Sequence, residues 1–309
     1  MTRDEGYLDL QVNGYAGLDF NADELDAEQA AAVCERLRSD GVGGVLATVI
    51  TDDIDAMCRR LRNIRRVREE HPLVAEVVCG IHIEGPFINE QEGFVGAHPR
   101  GAVRPADVDI MSRLLDEAGD LVRVVTLAPE RDERSRVTRQ LVDRGITVSA
   151  GHCDPSLAEL RAAIDAGLSM FTHLGNGCPL MLPRHDNVIQ RILSLRDRLW
   201  IGFIADGVHV PFPALGNYLR SAGIDRVFVV TDAIQAAGLG SGTYRLGSQE
   251  VVVDSHLATW SADRSHLVGS ACTMPLAAQN LREQLALNSE QVEQLLCKNP
   301  REAIGSRGG

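Results

Sequence analysis

Short β-branched runs alternate with segments of helical periodicity along most of this chain. Tyr7–Val12, Gly44–Ile50, Val77–Ile83, Leu121–Leu127, Ile146–Ala150, Leu168–Thr172, Leu199–Ile204 and Arg226–Thr231 read as strands. Continuous Val, Ile and Leu runs of about four to eight residues suit strands buried on both faces. Helix signals lie between them. Asp26 with Gln29 reads as a capping box, and Gly41 as the stop that follows. Pro105 opens a helix over Ala106–Glu117, and Asp154-Pro155 places a cap and a first-turn proline ahead of Ser156–Ala166. This alternation predicts an α/β protein, a parallel (β/α)8 TIM barrel; an open parallel sheet fits the same alternation.

Two segments break the rhythm. Residues 85–104 (GPFINEQEGFVGAHPRGAVR), punctuated by Gly and Pro around a histidine, read as a long loop over one end of the sheet. Val208–Pro213 (VHVPFP) is a second histidine-bearing loop. Beyond the last strand, Tyr244–Trp260 alternates like a β-hairpin, Thr273–Leu287 and Ser289–Lys298 read as closing helices, and Asn299-Pro300 starts a last turn. With no repeat, low-complexity tract or linker, residues 1–309 are expected to form one catalytic domain.

Composition narrows the partners. The length of 309 residues accommodates a barrel, which typically takes about 250. A net charge of −12 argues against nucleic acid or an anionic membrane as partner, so an anionic substrate needs locally placed cations. Most of the seven scattered cysteines, which contain no CxxC, read as buried small apolar residues in a reducing compartment. The opening MTRDEGYLDL has no signal-peptide character, and no apolar run approaches the ~20 residues of a membrane span. A cytoplasmic protein is expected.

The chemistry sits at the strand ends. VVCGIHIE ends in Glu84, ITVSAGH in His152, LSMFTH in His173, and RVFVVTD in Asp232. Singly, each has an ordinary alternative: a strand-end acid paired with a base, or a capping or core histidine. Together, at the same end of three strands, Glu84, His152 and His173 form a common ligand set for a catalytic divalent ion with one position left open. Asp232, just past a buried strand, could move a proton to and from water there. His82 shares the strand parity of Glu84 and is expected to support it, whereas Cys153 should point away.

In order along the chain, LDLQVNGYAGLDFN, ATVIT, GIHIEGPFIN, GAHP, VTLAPE, VSAGHCD, THLGNG, ADGVHV, VTDA and GSACTM resemble the N-acetylglucosamine-6-phosphate deacetylases of the amidohydrolase superfamily. The resemblance implies one divalent metal per subunit, zinc or iron, on Glu84, His152 and His173, with Asp232 as acid and base. Gln11 and Asn13 stand where many amidohydrolases have an HxH pair for a second metal, and amides are poor ligands for it. The resemblance also implies that His98 polarises the acetyl carbonyl. Asn176, Gly177 and His209 would contact the sugar phosphate, and Arg184 would reach the substrate of a neighbouring subunit in a homodimer.

There are departures. Members of the family usually carry a small β-sandwich, and the two segments that build it are expected to be missing here. In THLGNGCPLMLPRHDN, Gly175 replaces an aromatic-sized residue, Gly177-Cys178 replace Ala-Met, and His185-Asp186-Asn187 replace Glu-Pro-Gly. The expected reaction is hydrolysis of the acetamide of N-acetylglucosamine 6-phosphate. The alternatives are an amidohydrolase for a different N-acyl sugar or cyclic amide, and a metal- or sugar-phosphate-binding protein without turnover.

Overall fold

Eight parallel strands, each hydrogen-bonded to the next in sequence, organise the chain. They are β1 (Tyr7–Val12), β2 (Val42–Ile50), β3 (Val78–Glu84), β4 (Val122–Leu127), β5 (Thr147–Ala150), β6 (Met170–Phe171), β7 (Trp200–Ile204) and β8 (Val227–Val230). The computed structural model describes residues 6–246, 249–264 and 266–305. The sheet curls until its first and last strands meet: Val12 bridges Ala233 in parallel, and the backbone N–H groups of Asn13 and Gly14 both reach Ala233 O. This is the (β/α)8 barrel that the alternation predicts, and the open sheet is excluded.

The shortest strand, β6, keeps two residues of the expected five, yet Ser169 N and Thr172 N still donate to β5 on either side of it. Leu8, Leu10, Leu46, Val124, Met170, Ile204, Phe228 and Val230 fill the barrel interior. A larger apolar shell, which includes Cys34, Cys58 and Cys153, joins strands to helices. Burying that shell drives folding, at about 25 cal/mol per Å² of apolar surface.

Two helix starts differ from the sequence expectation, each because a side-chain oxygen caps better than a proline opens. The helix expected from Ala106 begins at Val108, since Asp107 accepts from Asp109 N and Ile110 N. The one after Pro155 is Leu157–Asp165, capped by Ser156 in a reciprocal box with Glu159. Asp26 caps Ala27–Ser39 through Gln29 N, which is the first half of the capping box read from the sequence. The segment expected as one helix over Ser289–Lys298 is Ser289–Glu293 followed by a wide π turn, Gln294–Lys298, and then Asn299–Ala303. Pro300 has no N–H to return to the preceding turn, which favours that widening.

The helix Ile54–Glu70 carries no proline or glycine signal. Its apolar stripe of Ile54, Met57, Leu61, Ile64 and Val67 is diluted by six arginines, which hid it in the sequence. The expected hairpin gains a third strand and becomes an antiparallel sheet of Gly242–Leu246, Gln249–Val253 and Thr259–Ser261. No helix among the described residues is long and apolar enough to cross a membrane. Residues 1–5, part of the stretch read as lacking a signal peptide, lie outside the described residues.

Candidate active site

The four strand-end residues converge at the C-terminal mouth of the barrel. Glu84 closes β3 and is 2% exposed. His152, His173 and Asp232 each lie two residues past their strands, in left-handed backbone with φ of 51°, 36° and 52°. A side chain in that region costs about 1–3 kcal/mol and persists where the surroundings over-determine it, often at functional sites.

Glu84 Oε1 lies 3.0 Å from His173 Nε2 and 3.3 Å from His152 Nε2. His98, delivered by the long loop, places its Nε2 3.2 Å from His152 Nε2. The Phe94 carbonyl, 2.7 Å from His152 Nδ1, can only accept, so Nδ1 donates to it and the ring is turned with Nε2 toward Glu84 and His98. Burial raises the Glu84 carboxyl, but the two imidazoles outweigh it and hold the group well below its usual range. Burial lowers His173, yet Glu84 more than compensates and its pKa is raised. Burial and neighbouring His152 bring His98 down to about 3, so it is a neutral imidazole at working pH.

The donor set fits a divalent cation. Glu84, His98 and His152 offer ligand atoms that all lie within 4.8 Å of one another, and His173 adjoins them through Glu84. Ligand atoms around a tetrahedral ion with bonds of about 2.0–2.1 Å stand about 3.3 Å apart, close to the separations here. The Nδ1 atoms of His98 and His173, on the ring sides opposite the Nε2 contacts, are buried without a hydrogen-bond partner among the described residues.

Asp232 stands beside it. Its Oδ1 accepts from Asn13 Nδ2 at 2.7 Å and from Gln11 Nε2 at 3.1 Å. The same Gln11 amide donates to both oxygens of Glu84, each at 3.2 Å. An NH2 group thus lies between two carboxylates, where a second cation would otherwise balance them. Burial first, then the charge of Glu84, raises the Asp232 carboxyl to about 6.

At the mouth, His209 Nδ1 donates to Asp206 Oδ2 at 2.6 Å, while Asp206 Oδ1 accepts from Val208 N and His209 N. Burial raises Asp206, but the contacts with His209 dominate and lower it. Asn176 folds back on His173 O through both its backbone and side-chain nitrogens. Gly177 passes so close that a Cβ would sit 2.9 Å from His152 Nδ1. Arg184 is exposed on the following loop and is not brought into the site. Leu180 and Met181 on the same loop are 103% and 88% exposed.

No protein-family profile matches the chain. It is similar to the N-acetylglucosamine-6-phosphate deacetylases of Homo sapiens, at 37% identity over 97% of this chain and 74% of that protein, and of Bacillus subtilis, at 33% over the same shares. The chain belongs to the N-acetylglucosamine-6-phosphate deacetylase family. A mutant member from Mycobacterium smegmatis, solved in complex with N-acetyl-D-glucosamine-6-phosphate, superposes with a TM-score of 0.87 at 28% identity, covering 97% of this chain and 77% of that one.

Within this deacetylase-family barrel, reading strand ends missed three features. Asp9, 2% exposed on β1, accepts from Thr231 Oγ1 at 2.6 Å, and burial pushes its carboxyl up to about 7. Asp206 was passed over because it lies in a loop, although an Asp three residues before a His is a readable orienting pair. The Phe94 carbonyl leaves no sequence signal at all. His82, expected to support Glu84, feels the charge of Glu84 but gives its hydrogen bonds elsewhere. Its Nδ1 donates to Leu10 O and its Nε2 pairs with Thr126, in a chain that continues through Thr172 to Ser149.

Proposed function

We propose that this barrel hydrolyses the acetamide of N-acetylglucosamine 6-phosphate to glucosamine 6-phosphate and acetate. The observation that carries the reading is the carboxylate of Asp232, held by two amides beside the Glu84, His98 and His152 cluster that His173 joins through Glu84. Glu84, His152 and His173 would hold one divalent ion, zinc or iron. Such an ion supplies Lewis acidity to the acetyl carbonyl and acidity to water.

The remaining work belongs to the chain. Asp232 takes a proton from water as its oxygen bonds to the acetyl carbon, and returns it to the sugar nitrogen as the C–N bond breaks. The products are acetate and the free amine. His98, neutral and buried, donates to the carbonyl oxygen as negative charge develops there. Gln11 and Asn13 hold Asp232 in place and Asp206 aims His209. His209 and the Asn176–Gly177 backbone meet the sugar phosphate. Acetate release from metal-reconstituted protein tests the reading, with the unphosphorylated sugar and other N-acyl sugar phosphates alongside because the phosphate loop is altered. Turnover confined to another member of that panel would redirect the assignment.

Elemental analysis should find one metal per chain, because Gln11 Nε2 occupies the space between the carboxylates. Two stoichiometric metals would reject the single-ion reading.

Arg184 is proposed to serve a second copy of the chain. The exposed Leu180 and Met181 beside it favour a homodimer in which this loop crosses to the partner's mouth. Arg184→Ala should weaken the phosphorylated sugar by about 1.5–3 kcal/mol, the range for hydrogen bonds to a charged group, with metal content unchanged. A monomer in solution that still prefers the phosphorylated sugar would place phosphate binding wholly within one chain.

A further inference from the structure

We infer that Asp9 is a positioning residue for the proton-transfer group: across the seam between β1 and β8 its carboxylate fixes Thr231, and through it the kinked backbone that presents Asp232 to Gln11 and Asn13. The inference rests on the reading of Asp232 as acid and base.

The seam is where the barrel needs help. Every other neighbouring pair of strands shares a ladder, whereas β1 and β8 stand at opposite ends of the sheet order and share none. One backbone bridge, Val12 to Ala233, closes its upper end, and side chains join the rest. Asp9 Oδ2 accepts the Thr231 hydroxyl at 2.6 Å, and Oδ1 accepts Thr231 N and Gln11 N, each at 3.2 Å. Thr231 Oγ1 then accepts Ala233 N at 3.1 Å, so one hydroxyl spans the residue between them, which is Asp232. On the other side Ser270 N donates to Asp232 O at 2.9 Å, and Ser270 Oγ donates to Thr231 O.

The left-handed peptide of Asp232 is therefore gripped from both sides, at φ 52°. The same Asp9 oxygen that holds Thr231 N also holds Gln11 N, so the donor and acceptor ends of the Gln11–Asp232 contact share one anchor. Burying a carboxylate is costly, and an apolar pair would close a seam with less penalty. What an acid adds is direction: it fixes three donors at defined angles. An error of about 1 Å in a reacting group can cost on the order of 10²-fold in rate.

The test uses metal-loaded protein and the acetate-release assay. Thr231→Val removes the hydroxyl at nearly constant shape, and Thr231→Ser keeps it. Thr231→Val should lower kcat by about 10²-fold with KM within about twofold, and Thr231→Ser should return to within about threefold of the parent. Metal content should be unchanged in both. Asp9→Ala should match Thr231→Val; if it does not fold, the Thr231 pair carries the test. A Thr231→Val protein with parental kcat, or a loss that Thr231→Ser shares equally, overturns the inference. Asp232→Asn is measured beside them. Activity retained in Asp232→Asn removes the acid–base reading itself, while loss there with a fully active Thr231→Val removes only the role of Asp9.

Discussion

Asp232→Asn should bind metal and fold like the parent, yet lose turnover by about 10²–10⁴-fold, the usual worth of a positioned acid–base group. The amide is nearly isosteric and Oδ1 can still accept from Asn13 and Gln11. The missing function is proton transfer, which an amide cannot perform at neutral pH. The variant also removes a carboxylate that burial first, and then repulsion from Glu84, raises to about 6, so its thermal stability should match or exceed that of the parent.

That shift predicts the acid limb of the parent profile. A base with a raised pKa is lost as pH falls through it, so turnover should fall on the acid side at or below about pH 6. A cation beside Asp232 can only move the limb lower. Near-normal turnover in Asp232→Asn, or an acid limb well above pH 6, would refute the mechanism.

His98→Ala is expected to cost about 10²–10³-fold in kcat if the imidazole donates to the developing oxyanion. This variant also decides between two uses of one position. His98 Nε2 stands 3.2 Å from His152 Nε2, as near as a ligand to the same ion would be. Retained metal with lost kcat assigns the imidazole to the carbonyl. Lost metal makes it a ligand and leaves the oxyanion without this donor. A kcat near the parent value rejects both.

Much of the barrel was legible because most of its strands are short, mainly apolar and β-branched runs, and even β1, which Asp9 and Gln11 interrupt, has the expected limits. The ligand-type residues could be read for a related reason: a charged or imidazole side chain immediately after such a run has few reasons to be there. Helix starts were read less well, because proline was weighed above Asp107 and Ser156, whose oxygens satisfy first-turn N–H groups directly. Asp9 was invisible for a different reason. It lies inside a strand, between Leu8 and Leu10, and its meaning depends on Thr231, more than two hundred residues away. His98 belongs between these cases. Its loop position could be read, but its approach to His152 depends on how the loop folds, with Asn89 N on His152 O and Phe94 O on the ring.

The left-handed backbone at His152, His173 and Asp232 leaves a mark that evolution could read. At each position glycine would adopt the same φ without the steric penalty, partly offset by the greater freedom of glycine in the unfolded chain. For Asp232 it would also remove a carboxylate held near another. Backbone conformation alone therefore gives little reason to keep two histidines and an aspartate there. A copy of this barrel released from selection for its chemistry would drift toward glycine at these three sites first, long before its core changed. Glycine at 152, 173 or 232 in a sequence of otherwise intact pattern would mark a descendant that keeps the shape and has given up the reaction.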